Sequence, residues 1–96
     1  MNEFFARLAQ RWRDGAAERG VEIASPELDP TVAEELLELA RVVAHTKERR
    51  FAPLATFTAG VATERFCVAK GTADPQTLTA YVREIREALE REGAEP

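Results

Sequence analysis

Few of the side chains from which active sites are built occur in this chain: it has one cysteine, one histidine, one tryptophan and one tyrosine in 96 residues. A lone cysteine excludes an internal disulfide. Cys67 sits between Phe66 and Val68 with no activating group beside it, so it reads as a structural thiol in a reducing compartment. One histidine cannot furnish the Glu-x-x-His pair of a helical di-iron centre and leaves a zinc site short of ligands, so the expectation is no metal and no cofactor. No glycine-rich loop is placed to cradle a phosphate, and no nucleophile is paired with a base, which argues against an enzyme.

Basic residues are almost all arginine, with Lys47 and Lys70 the only lysines, and amide side chains are scarce, a composition of GC-rich or thermophilic sources. The net charge is −4 with a pI near 5.0, and there is no basic stripe, so nucleic acid and anionic membranes are not expected as partners. The amino terminus interrupts its apolar residues with charges and so lacks the run of a signal peptide. The longest uncharged stretch, Phe51 to Thr63, is shorter than the roughly 20 residues a membrane helix needs. A cytoplasmic location is the resulting expectation.

What the chain does contain is helical periodicity. An apolar share of 45% beside 31% charged residues is that of a globular domain, and the length suits one domain over 1–96. Residues 2–19 place Phe4, Phe5, Leu8, Ala9, Trp12 and Ala16 on one arc, with Arg7, Arg11, Asp14 and Glu18 opposite: a surface helix with an aromatic inner face, stopped by Gly20. The segment from Val21 to Leu28, with Ser25-Pro26, reads as a loop with one extended arm.

Asp29-Pro30 starts a second helix, expected over 30–48, with Glu34 and Glu35 in its first turns favoured by the dipole. Val32, Leu36, Leu39, Ala40 and Val43 share its inner face, widened by Leu37 and Ala44. Pro53 suits the first turn of a third helix, 53–69. Leu54, Phe57, Val61 and Val68 mark one side of it and Ala55, Ala59, Ala62 and Phe66 another, so it is expected to be the central, buried helix. Gly71 ends it and Asp74-Pro75 starts the fourth, 75–92, where Leu78, Tyr81, Val82, Ile85, Ala88 and Leu89 are inward and Arg83, Glu84, Arg86, Glu87, Glu90 and Arg91 outward. Residues from Gly93 onward should fray. Short connections make successive helices antiparallel, and the expected fold is an all-α, compact four-helix domain.

The residues with the best claim to chemistry gather between helices two and three. Lys47, Arg49 and Arg50 precede a helix start whose amides could hold phosphate or carboxylate, and His45 and Thr56 stand close enough in sequence to join them. Basic residues also close helix carboxyl ends for structural reasons, and the sequence leaves both readings open. His45, Arg49, Arg50 and Thr56 are the candidate ligand-binding residues; none is assigned a catalytic role. Trp12 and Phe5 are candidates for a two-fold interface in a homodimer.

From Leu36 to Val61 the chain reads LLELARVVAHTKERRFAPLATFTAGV, and this run resembles a small bacterial helical domain fused to, or encoded beside, molybdenum cofactor guanylyltransferase. The matching pieces are Leu-x-Leu-Ala-Arg leading to Ala44-His45, then Glu48-Arg49, then Ala52-Pro53-Leu54-x-Thr56-Phe57 and Gly60. Thr46 stands where that pattern has glycine, and Arg50-Phe51 where it has smaller residues. The resemblance implies a setting, the handling of molybdopterin guanine dinucleotide, and a protein partner in that maturation, but no reaction. The functional expectation is therefore a non-enzymatic accessory or interaction domain, with a small-anion-binding domain as the alternative.

Overall fold

Two aspartate-proline pairs and two glycines divide the chain into four helices, and the computed structural model, which describes residues 2–72 and 74–94, has them as α1 (Glu3–Glu18), α2 (Pro30–Thr46), α3 (Phe51–Lys70) and α4 (Pro75–Ala94). No strand occurs among the described residues. The chain divides into two compact units, Met1–Pro30 and Thr31–Pro96.

In the first unit, Asn2 caps α1 by accepting the Phe5 amide at 3.2 Å. The other end closes in a Schellman arrangement around Gly20, whose φ of 77° is open to glycine at little cost: Val21 N–H reaches the Ala16 carbonyl and Gly20 N–H the Ala17 carbonyl, both at 2.9 Å. Ala9 is the buried residue of α1. The aromatic face was expected to turn inward, but Trp12 is 62% exposed and Phe4 55%, because only the extended arm from Ser25 to Leu28 lies against this face within the unit. Phe5, Leu8 and Trp12 with Pro26 and Leu28 line an open recess of about 640 Å³.

The second unit is a three-helix arrangement built on α2. Ala33, Leu39, Val42 and Val43 are buried along one face of α2 and Val82 meets them from α4, while Leu36, Ala55, Ala59 and Leu89 pack around the cluster of Leu39, Val43 and Val82. Phe66 late in α3 faces Tyr81 early in α4, ring centroids 5.1 Å apart, so these two helices run antiparallel. Helices α2 and α4 run parallel: Glu35 lies beside Arg83 and Arg86, and two to three turns further along both helices Gly93 lies against Thr46 so closely that a Cβ there would come within 2.6 Å of the threonine methyl.

Four expectations need correcting. Helix α3 begins at Phe51 and not at Pro53, because Phe51 N–H bonds to the Glu48 carbonyl at 3.0 Å and Ala52 N–H to that of Arg49 at 3.1 Å, which puts the proline third in the first turn, where its missing donor costs nothing. Helix α3 is also not the buried helix. It has no buried residue; α2 fills that position and α3 packs on it by one side only. Finally, α4 continues through Gly93 to Ala94, since the Thr46 contact holds its end; Glu95 and Pro96 lie outside the described residues. Leu37, expected to widen the inner face of α2, is exposed.

Both proline starts and both glycine stops are where the residues demand them. At α4, Thr77 Oγ1 donates to Asp74 Oδ2 at 2.8 Å and Leu78 N–H bonds to the Asp74 carbonyl. At α3, Gly71 has φ 82° and its N–H reaches the Cys67 carbonyl at 2.8 Å. Gly71→Ala forces a side chain into the left-handed region and is expected to lower stability by about 1–2 kcal/mol in urea denaturation, although open space surrounds the position.

Candidate functional site

The four residues named from sequence all fall at or near the turn from α2 to α3. His45 is exposed in the last turn of α2, and Arg49 is exposed in the connection. Arg50 occupies the position before α3, where its guanidinium lies 3.6 Å from Glu48 and 5.7 Å from the ring centre of Phe51. Thr56 turns its hydroxyl back to donate to the Pro53 carbonyl at 2.9 Å. Among the described residues, no hydrogen bond or ion pair joins any of the four to another. The helix start beneath them has little to offer an anion: the amides of Phe51 and Ala52 are spent on the preceding turn, and Pro53 has none. Arg41, a turn before His45, is held by Glu38 through two bonds at 2.9 and 3.1 Å. Millimolar phosphate is accordingly expected to leave the melting temperature unchanged, and a rise that His45→Ala or Arg49→Ala abolished would overturn that expectation.

Sequence reasoning missed a charged cluster inside the second unit. Glu35 is buried, and its carboxylate accepts from Arg86 Nε at 2.5 Å and from Arg83 Nε at 3.3 Å; Arg86 also pairs with Glu90. The hydrogen bond to Glu35, ahead of the opposing effect of burial, holds the Arg86 guanidinium above the ordinary arginine range, so it stays charged throughout aqueous measurement. The signal was present in the register. Glu35 precedes Leu39 and Val42 by four and seven residues, and Arg86 lies between Val82 and Leu89, so both occupy apolar stripes. The cluster closes on itself and serves as a structural tie between α2 and α4.

The surface feature that stands out belongs to α3. Its inner side, Ala55, Ala59 and Ala62, lines a groove of about 310 Å³ shared with Leu39, Val82 and Leu89. On the other side, Leu54 is 63% exposed, Phe57 73% and Val68 74%, with the half-buried Val61 between them and Phe51 at the helix start. Leu54, Phe57, Val61 and Val68 fall at i, i+3, i+7 and i+14, a stripe along one side of the helix interrupted by Glu64. Helix α3 thus has two apolar sides, of which the unit covers one. Exposed large apolar residues arranged in a patch, unlike scattered single ones, mark interaction surfaces.

Among the described residues there is no group of three His, Cys, Asp or Glu side chains able to hold a metal ion, and no helix is long and apolar enough to cross a membrane. A helical domain carrying an outward apolar helix face is the class these observations define. The chain belongs to the family described as domain of unknown function DUF6457, which matches residues 1–96. Nothing in that match links it to molybdenum cofactor guanylyltransferase. No curated protein and no solved structure matches the chain.

Proposed function

We propose that this chain is a non-enzymatic interaction domain whose docking surface is the outer face of α3. The observation that carries this reading is the exposure of Leu54, Phe57 and Val68 in a single stripe on a helix whose opposite side is already packed. Leaving such side chains in water forgoes about 25 cal/mol for each Å² that a partner would bury. The resemblance of Leu36 to Val61 supports a partner in molybdenum cofactor maturation, and that part of the proposal rests on the resemblance alone.

Carbene footprinting tests the surface without presupposing its occupant. In extract of the native cell, labelling at Leu54, Phe57 and Val68 is expected to fall well below that of the purified protein at high dilution, while labelling at Leu37 on α2 stays unchanged. Equal labelling of the stripe in both conditions would sink the proposal.

A further inference from the structure

We infer that the occupant of the α3 face is a second copy of this chain, seated antiparallel about a two-fold axis that passes beside Val61. This inference rests on the docking surface proposed above and specifies what covers it. Its first support is self-complementarity. In an isologous contact each position meets the one equally far from the axis on the other side. Seven residues either way from Val61 are Leu54 and Val68, so leucine meets valine at both ends of the stripe, and Val61 meets itself at the centre. Four residues either way are Phe57 and Arg65, which sets a guanidinium over an aromatic ring, as Arg50 already lies over Phe51 within one chain. Ten residues either way are Phe51 and Gly71, and the space around Gly71 is open.

Spacing gives the second support. Leu54, Phe57, Val61, Glu64 and Val68 alternate steps of three and four, the pattern by which two helices interlock at a shallow crossing angle. Glu64 is the one charge in this seam, and the two-fold sets it opposite Thr58 of the second copy, a polar neighbour and not an apolar one. Gly60, one residue from the axis, has nothing near its missing side chain and lets the two backbones approach. Antiparallel helices also oppose their dipoles.

Area is the third. With an aromatic side chain carrying about 150–250 Å² and the aliphatic ones somewhat less, the exposed parts of the stripe amount to roughly 450 Å² of apolar surface per chain. Two copies together supply at most roughly 900 Å², and the flanking Thr58, Glu64 and Arg65 bring the total to the ~1,000 Å² at the lower bound for a specific interface, the size of a reversible dimer.

The test uses the full chain with Cys67 replaced by alanine, so that no other thiol competes. Sedimentation velocity is expected to show a dimer that forms with rising concentration. Phe57→Asp, at a position exposed in the single chain and so neutral to folding, is expected to weaken it about tenfold or more. Val61→Cys is expected to form a disulfide between copies under mild oxidation, because only a two-fold beside residue 61 brings that residue against itself. A monomer at every concentration overturns the inference, and so does a dimer that Phe57→Asp leaves intact or that Val61→Cys fails to link, since such a dimer uses another face, the Trp12 and Phe4 side of α1 included. Either failure leaves the docking reading standing where the stripe is still shielded in extract, for its occupant is then a different protein.

Discussion

Glu35→Ala is expected to remove about 3 kcal/mol of stability, the lower end of the cost of breaking a buried ion pair by removing one partner. Glu35 has 8% of its side chain exposed and Arg86 16%, so the guanidinium would remain largely inside the protein with only the more exposed Glu90 to oppose its charge. Arg83 is half exposed and adds little, since water screens its attraction. Urea denaturation followed by circular dichroism gives the number directly. The double substitution Glu35→Leu with Arg86→Met is expected to recover most of the loss, because an apolar pair of similar volume avoids the desolvation that the ionic pair must overcome. Recovery distinguishes a charge effect from a packing one: if the double variant is as unstable as the single, the cluster holds the helices by shape and not by charge. The raised pKa of Arg86 gives its share of stability a defined pH range. A group bound more tightly to its proton in the folded state contributes fully below its unfolded value, here already strongly alkaline, and loses that contribution only as the pH rises through the folded value.

Leu39→Ala is the second large effect, expected at about 2–5 kcal/mol. Leu39 is 4% exposed, at the centre of the cluster with Val43 and Val82, and it also floors the groove between α3 and α4. Truncation opens that groove into the core and leaves the two helices nothing to close upon. Leu37→Ala, two residues away on the same helix but exposed, is expected to change stability by no more than about 0.5 kcal/mol. A comparable loss from both would mean that helix propensity, and not burial, governs this segment.

The contrast between these leucines shows how much of the fold could be read in the sequence. Helix starts and stops were legible because they depend on local chemistry: Asp74 before Pro75 and glycine at 20 and 71 each dictate the backbone where they stand. Which apolar residues become buried depends on what the chain brings opposite them. Periodicity marked both sides of α3 as sticky but could not say that α2 and α4 would cover just one. Glu35 and Arg86 were misread for the same reason, since charge suggests water unless an opposite charge arrives from a distant segment, here 51 residues away. His45, Arg49, Arg50 and Thr56 were grouped by proximity along the chain, which places them near one turn but does not say how their side chains are directed; in that turn the amides of Phe51 and Ala52 bond to the residues just before them.

The parallel pairing of α2 with α4 bears on the order in which the second unit assembles. Helices α3 and α4 are sequence neighbours and can meet as a hairpin soon after each forms, whereas α2 reaches α4 only after the intervening chain has doubled back. Contacts between segments so far apart are expected to form on the later side of the folding barrier, which a low φ-value at Glu35 would show. The Glu35 tie then acts as a latch: losing it hastens the opening of the native state while barely slowing its formation.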